Sequence, residues 1–266
     1  MQPRLRVVSS ASGPGRWVAI RSLGAFSVQR HDGPVASGEW QSKKARDLVK
    51  ILITRRGHAV TRESLIETLW PMQDPCRTSN RLSVALSTAR SVLDPGHRFA
   101  PDRFIRADRY TVRLDLVHLD IDVEVFLAAA GDGLRLRRAG LVEQAVARLE
   151  IADAAYTGDF LEEDLYEDWA VAFREEARAD FLAVARVLAE LADGRGDDQT
   201  AIGYRLRILT HDPYDERAHL RIVAAHEAAG RHGEARRTHG RYQERMAEIG
   251  VRPRPFAAAL ASAGSP

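Results

Sequence analysis

The chain has 266 residues, of which 45% are hydrophobic and 29% charged, and its formal net charge is +2. This composition is ordinary for a globular protein, and the length favours two domains. The single cysteine excludes a disulfide framework and a zinc site built from cysteines. No apolar run approaches the ~18 residues of a membrane span, and residues 1–16 lack an apolar signal core. We therefore expect a cytoplasmic protein with no membrane partner.

The two halves of the chain differ in charge. Residues 1–116 contain 20 Lys and Arg against 10 Asp and Glu, a net charge of +10. Residues 117–266 contain 19 against 27, a net charge of −8. A basic first half favours a polyanion such as nucleic acid as its partner, although a plain solvated surface would have the same composition. The order of the predicted elements has to decide between these interpretations.

The first part of the chain is predicted to contain strands and one helix. Residues 1–16 are small, polar and Pro/Gly-bearing, and they predict a flexible tail. Apolar residues from Trp17 onward predict two or three short antiparallel strands that end near Trp40. Apolar residues at helical spacing then predict a helix from about Ser42 to Arg56.

Two further helices and a hairpin follow. Thr61 is a predicted N-cap for a second helix, residues 62–70. Thr78 or Ser79 is the predicted cap of a third helix, which ends near Leu93. Strands at 103–106 and 110–114 complete the series. Strands, three helices and a terminal hairpin are the order of a winged helix, in which the second and third helices form the helix-turn-helix and the hairpin forms the wing.

From residue 117 the periodicity is helical and repetitive. The segments 140–145, 196–201 and 230–235 each begin with Gly and end with Ala, and the last two lie 34 residues apart. Chance recurrence in an Ala-rich region is the alternative, but a period of 34 is typical of tetratricopeptide repeats. The sequence therefore predicts an all-α, tetratricopeptide-like domain at 117–256 with a concave protein-binding face, followed by a flexible tail at 257–266.

Motifs spread over nearly the whole chain carry a resemblance to one family. They are Leu23-Gly24, Lys44-Ala45-Arg46-Asp47-Leu48, Leu65-Ile66-Glu67-Thr68-Leu69-Trp70-Pro71, Asn80-Arg81-Leu82, Asp120-Ile121-Asp122, Tyr156-Thr157-Gly158-Asp159-Phe160-Leu161, Tyr166-Glu167-Asp168-Trp169, Asp212-Pro213-Tyr214-Asp215-Glu216 and Gly250-Val251. In this order they resemble the SARP family of actinobacterial regulators.

The resemblance implies an architecture and a function. The architecture is an α+β winged helix of the OmpR type at 17–116, followed by a bacterial transcriptional activation domain at 117–256. The function is that of an activator that binds direct repeats near promoters, often of secondary-metabolite (antibiotic) clusters, and recruits RNA polymerase. Longer members carry an additional ATPase domain, but this sequence has no Gly-x-x-x-x-Gly-Lys-Ser/Thr loop.

The exposed face of the third predicted helix holds residues that can read DNA bases. Asn and Arg bond base edges, Ser and Thr reach bases or phosphates, and Val meets a thymine methyl group. Basic residues near the first two helix starts suit phosphates, and those of the hairpin suit the minor groove. The predicted DNA-binding residues are Lys43, Lys44, Arg46, Arg62, Asn80, Arg81, Val84, Ser87, Thr88, Arg90, Arg106 and Arg109. The resembling family usually has Arg at the position of Thr88, and a solvated helix face is the alternative interpretation.

The segment from Pro71 to Thr78 is predicted to be a loop too long for a tight helix-turn-helix turn. In OmpR-type domains the corresponding loop faces RNA polymerase. The resemblance carries that role, with the sigma subunit as the expected partner, to Met72, Gln73, Asp74 and Arg77. Self-association on tandem DNA repeats would fit a chain that dimerises only on DNA.

Six acidic residues lie between Asp159 and Asp168. The run lacks the mid-loop glycine and terminal glutamate of an EF-hand, so a solvated helix start is favoured over a calcium loop. Docking of this run against the basic domain is a further alternative. Tyr166 and Trp169, three residues apart, are predicted to be core anchors.

No arrangement of residues predicts an enzyme. His226-Glu227 is followed by His232 at a spacing of six rather than four, so the metalloprotease motif is absent. We therefore predict no catalytic residue, metal or cofactor. The leading hypothesis is a sequence-specific activator that binds double-stranded DNA. The alternative is a helical-repeat adaptor whose winged helix no longer binds DNA specifically.

Overall fold

The computed structural model describes residues 17–73 and 75–257 and divides the chain into two compact units. The first unit comprises the chain through Val125 together with Phe160–Glu175, and the second comprises Phe126–Asp159 and the chain from Glu176. This division differs from the predicted boundary at residues 116 and 117. The predicted tail 1–16 and all but the first residue of the predicted tail 257–266 lie outside the described residues.

Strands occur only in the first unit of the described chain, and helices occur in both units. The strands are β1 (Val18–Arg21), β2 (Ser27–Arg30), β3 (Gly33–Pro34), β4 (Val60–Thr61), β5 (Ile105–Ala107), β6 (Thr111–Leu114) and β7 (Leu119–Ile121). The helices are α1 (Lys43–Thr54), α2 (Arg62–Leu69), α3 (Pro75–Leu93), α4 (Asp122–Arg138), α5 (Val142–Ala155), α6 (Asp168–Gly194), α7 (Asp198–His211), α8 (Glu216–Ala228) and α9 (His232–Glu248). Two short 3₁₀ turns lie at Ser37–Trp40 and Glu162–Asp164.

The first sheet has the strand order β3-β2-β1-β7, with β7 parallel to β1 and the other pairs antiparallel. The pairing of β7 explains why the first unit extends past residue 116. The carboxylate of Asp122, directly after β7, accepts hydrogen bonds from the backbone N–H groups of Ser22 (2.9 Å) and Leu23 (3.0 Å). Burial raises the pKa of Asp122 despite these bonds. The buried carboxylate thus fastens the start of α4 to the end of β1.

The winged-helix core forms as predicted, with one difference at the start of α3. Ser42 accepts a hydrogen bond from Lys44 N–H at the start of α1, and Thr61 accepts one from Ser64 N–H at the start of α2. Helix α3 begins at Pro75, three residues before Thr78, the first predicted N-cap, so half of the predicted loop 71–78 is helical. Proline is favoured at a first helical position because its missing N–H would have no partner there.

The second sheet, β4-β6-β5, forms the wing. The Asp108 carboxylate accepts hydrogen bonds from the N–H groups of Tyr110 (2.7 Å) and Thr111 (2.7 Å) and closes the turn between β5 and β6. Strand β4, directly before α2, pairs with β6. The wing is therefore attached to the start of the helix-turn-helix.

The acidic segment, residues 160–167, belongs to the first unit and packs along α1. The buried guanidinium of Arg174 donates to the backbone carbonyls of Phe160 (2.7 Å) and Asp164 (2.9 Å) and holds the segment. Within it, Tyr166 is 97% exposed, so the prediction that it is a core anchor is wrong. Trp169 is half-buried, and its indole N–H donates to Glu167 (3.0 Å).

The second unit consists of helix pairs, as the repeated Gly and Ala positions predict. Gly140, Gly196 and Gly230 have φ values of 77°, 70° and 70°, and each lies two residues before the next helix. Glycine adopts this left-handed conformation at helix ends without strain. Ala145 and its counterparts Ala201 and Ala235 are each 0% exposed, so the last residue of each repeated segment is buried. The predicted tetratricopeptide-like repeat is confirmed by this geometry.

Within the described part of the chain, no helix combines the length and the apolarity needed to cross a membrane.

Candidate DNA interface

Helix α3 presents one exposed face. Asn80, Arg81 and Ser87 are exposed, Val84 is 59% exposed, and Thr88 is half-buried. Their spacing repeats every three to four residues, so these side chains lie on one side of the helix. Leu82, Leu86 and Ala89 are buried on the other side. The five predicted base-contacting residues from Asn80 to Thr88 therefore share a surface.

A groove of about 320 Å³ brings this face together with the start of α1. Its lining residues are Ser42, Lys44, Trp70, Asn80, Arg81, Val84, Ala85 and Thr88. Trp70 and Ser42 were not among the predicted site residues. Ser42 had a local signal, since it caps α1, whereas only the packing of α2 places Trp70 here.

The electrostatics of the groove favour an anion. The N-terminus of α1 carries the positive end of the helix dipole, and Lys44 extends from its first turn. The Lys44 ammonium lies 3.8 Å from the Asp47 carboxylate. Asp47 is 2% exposed, and this burial raises its pKa even though Lys43 and Lys44 act in the opposite direction.

Lys43 and Arg46 lie on another face of α1 and contact the acidic segment. Lys43 Nζ is 3.3 Å from Glu167 Oε1, and the Arg46 guanidinium forms an ion pair with Glu163. The Glu167 hydrogen bond is the main cause of the raised pKa of Lys43. The groove therefore does not bring Lys43 and Arg46 together with the exposed face of α3, and their contact with DNA stays a prediction.

Arg62 and Arg90 also have partners inside the first unit. The Arg62 guanidinium donates to Ser83 Oγ (3.1 Å). The half-buried Arg90 donates twice to the Ile105 carbonyl (2.8 and 3.2 Å) and fastens α3 to the wing. At 100° per residue, Arg90 lies about 120° from the centre of the Asn80–Thr88 face, so we assign it to the wing support rather than to base contacts.

The wing exposes cations and one aromatic ring. Arg106 is exposed and lies 2.5 Å from Asp115. Burial raises the pKa of Asp115, but hydrogen bonds from Val117 N–H and Arg106 outweigh it and lower the pKa overall. The Arg109 guanidinium lies 5.6 Å from the centre of the Tyr110 ring, which is 65% exposed.

Sequence reasoning placed Tyr110 in a strand and missed its exposure. It also missed the exposed Arg113, although alternation with the buried Val112 and Leu114 along β6 was a signal for it.

The connection between α2 and α3 is short and exposed. Met72 is fully exposed and has a φ of 62°, and Gln73 Oε1 accepts a hydrogen bond from Arg81. Asp74 and the side chain of Arg77 lie outside the described residues. Of the four predicted polymerase contacts, Gln73 thus bonds a residue of the exposed face of α3, and Met72 precedes it in the loop.

Two family models match the chain in this order. One is described as "Transcriptional regulatory protein, C terminal" and matches residues 40–109. The other is described as "Bacterial transcriptional activator domain" and matches residues 121–263, more than half of the chain. The chain belongs to the bacterial transcriptional activator domain family. The order of the two domains is that of the SARP-type transcriptional regulators, as the sequence motifs predict.

A solved structure has the same fold as this SARP-type chain. It is Mycobacterium tuberculosis EmbR in complex with a low affinity phosphopeptide, with a TM-score of 0.69 and 23% sequence identity. The alignment covers 93% of the SARP-type chain but 64% of the EmbR chain. A search of curated proteins finds no match. The comparison confirms the predicted fold, a winged-helix region followed by an all-helical domain.

Proposed function

We propose that this SARP-type regulator binds double-stranded DNA at direct repeats near promoters and activates transcription by recruiting RNA polymerase. One observation carries the proposal: the groove that places Lys44 beside Asn80, Arg81, Val84 and Thr88. A winged helix inserts its third helix into the major groove of DNA, and a cation at a helix N-terminus beside it suits the flanking phosphate.

The side chains in the groove divide into two roles. Asn80 and Arg81 carry the donors that bond adenine and guanine edges, and Val84 provides an apolar contact for a thymine methyl group. Lys44 and the N–H groups at the start of α1 bind phosphate independently of the DNA sequence. The wing, with Arg106, Arg109 and Tyr110, suits the adjacent minor groove.

The test is quantitative DNA binding by the full chain. A SARP-type operator is first selected from random duplexes, and affinities for it and for random DNA are then measured at several salt concentrations. We expect Asn80→Ala to relax base preference at one position and to reduce specific binding by about 1–3 kcal/mol. Ser79→Ala is the matched control, because Ser79 is an exposed serine of the same helix that lies about 140° from the centre of the Asn80–Thr88 face and outside the groove. A folded chain that selects no sequence supports the adaptor function instead.

Recruitment of polymerase is the second part of the proposal. Met72 is exposed and the next residue, Gln73, bonds Arg81 of the exposed face of α3, so contact of this loop with a sigma subunit would be strengthened by tethering on the same DNA. We expect Met72→Ala to leave operator binding nearly unchanged and to lower transcription from a reconstituted promoter several-fold. Unchanged transcription with intact binding would remove the polymerase contact from this loop.

Two more specific parts of the proposed function rest on the resemblance to the SARP family. They are tandem self-association on direct repeats and control of a secondary-metabolite cluster. The first is measured by the stoichiometry of the complex on one and on two repeats, and the second by the genes next to the selected operators.

A further inference from the structure

The tail segment, residues 251–256, lies across helices α8 and α9. Its first five residues form neither helix nor strand, and only its last residue is helical. The chain reverses at Gly250, whose φ is 70°, and Val251 N–H bonds to the carbonyl of Met246 (2.9 Å). Residues 253 and 255 are prolines, which favour an extended backbone in this segment.

Both backbone polar groups of Arg254 are bonded by side chains of α9. Its N–H donates to the Tyr242 hydroxyl (2.8 Å), and its carbonyl accepts from His239 Nε2 (2.9 Å). The Tyr242 hydroxyl in turn donates to Glu216 Oε2 (3.2 Å). An extended segment that receives its main-chain bonds from buried side chains is bound as a peptide ligand is bound in a recognition groove.

Two side-chain contacts add selectivity to the main-chain bonds. Arg254 Nε lies 2.7 Å from Glu216 Oε1. The ring of Phe256 contacts the edge of His239 at 5.2 Å between centroids, and the Arg236 guanidinium lies 3.8 Å from the centre of the same ring. The groove therefore fits a basic residue followed two positions later by an aromatic one.

The groove residues are more deeply buried than the tail segment that they contact. Tyr242 is 0% exposed and His239 is 6% exposed, and Tyr242 packs in a core cluster with Leu220 and Met246. In the tail segment, by contrast, Arg254 and Pro255 are exposed and Phe256 is only half-buried. The groove is thus fixed by the core of the unit, whereas the segment is held by a few contacts at its surface.

We propose that this groove on α8 and α9 is a binding site for an extended peptide segment of a partner protein, and that residues 251–256 occupy it in cis. The partner segment has free main-chain groups, a basic residue that pairs with Glu216 and an aromatic residue two positions later. The tethered cis segment is present at a high effective concentration, so it reduces the apparent affinity for a partner until it is displaced.

The test uses the full chain and a fluorescent peptide with the sequence of residues 250–257, Gly-Val-Arg-Pro-Arg-Pro-Phe-Ala. The full-chain variant Arg254→Glu with Phe256→Ala releases the cis segment, because Glu repels Glu216 and the ring is lost. We expect this variant to bind the peptide at least tenfold more tightly than the unchanged chain does. A peptide carrying the same two substitutions serves as the control and should not bind.

The groove itself is checked in the released variant. Adding Tyr242→Phe keeps the buried ring but removes the hydroxyl, and we expect it to weaken peptide binding at least fivefold. Circular dichroism melting establishes that each variant is folded. If the double variant does not fold, Phe256→Ala alone is titrated and decides the result. A folded released variant that does not bind the peptide, or binds it no better than the unchanged chain, would overturn the proposal.

Discussion

Two faces of α1 carry basic side chains, and their surroundings differ. On one face, Lys43, Arg46 and Lys50 contact carboxylates of the acidic segment. On the other face, Lys44 lines the groove beside α3. The first face, here called the paired face, holds cations that fix the acidic segment to α1, whereas Lys44, although it lies 3.8 Å from Asp47, lines an open groove that a phosphate can enter. The net charge of the first 116 residues therefore exceeds the charge that the winged helix can offer to DNA.

Helical geometry accounts for the two faces. At 100° per residue, positions 43, 46 and 50 fall within about 60° of one another, and position 44 lies about 100° from the first of them. The paired face includes Lys50, which is 2% exposed and bonds Glu163 (2.9 Å) and Asp164 (2.5 Å). A lysine so deeply buried requires its carboxylate partners, since an unpaired buried charge is strongly unfavourable.

The largest expected effect is the loss of stability when Lys50 loses its two carboxylate partners. We expect Glu163→Ala with Asp164→Ala to lower the free energy of unfolding by about 3–5 kcal/mol, because the ammonium of Lys50 would remain buried without a carboxylate. Urea denaturation of the full chain measures the change. Adding Lys50→Met removes the buried charge and should recover most of the loss. A double variant as stable as the unchanged chain would show that the paired face does not serve folding.

The same contacts show where sequence reasoning succeeds and where it fails in the fold. Elements with a local signal were predicted well: Thr61 caps α2, and Gly196 and Gly230 precede α7 and α9. The pairing of β7 with β1 and the packing of the acidic segment on α1 join residues about 100 positions apart. No short sequence window specifies such pairings.

In the candidate site, periodicity predicted the Asn80–Thr88 face, because a single helix determines it. It did not predict the positions of Lys43, Arg46 and Arg90, whose partners come from other elements. The sequence offers docking on the basic domain as one interpretation of the acidic segment, but it wrongly predicts that Tyr166 lies in the core. The charge of a residue in the sequence does not show whether its side chain faces a carboxylate, a carbonyl or solvent.

The second prediction compares adjacent lysines on the two faces. We expect Lys44→Ala to weaken binding to all DNA sequences by similar factors and to reduce the salt slope of binding by about one unit, because one phosphate contact is lost. Lys43→Ala is the matched control: its ion pair is exposed, so we expect about 0.2–1 kcal/mol of lost stability and an unchanged salt slope. Electrophoretic mobility shifts at several salt concentrations distinguish the two. Equal slopes in both variants would contradict the separation of the faces.

The smallest expected effect concerns Asp47, the buried acid beside Lys44. Burial raises the pKa of Asp47 above its ordinary value of 3.8. At pH values between the pKa of Asp47 in the unfolded chain and its higher pKa in the folded chain, the folded chain therefore holds a proton that the unfolded chain has released. The stabilising contribution of Asp47 is fully present below pH 3.8 and is lost as the pH rises through the pKa of the folded chain. The loss is ~1.4 kcal/mol for each unit by which the folded pKa exceeds the unfolded one.

The variant Asp47→Asn removes this loss. We expect the difference in the free energy of unfolding between the variant and the unchanged chain to grow in favour of the variant from pH 3.8 upward and then to become constant. The same change removes a negative charge 3.8 Å from Lys44, so it should strengthen binding to all DNA sequences modestly. Urea denaturation across pH and filter binding at neutral pH measure the two effects. A stability difference that does not vary with pH would mean that Asp47 titrates alike in both states, and DNA binding that is unchanged or weaker would contradict a phosphate contact by Lys44.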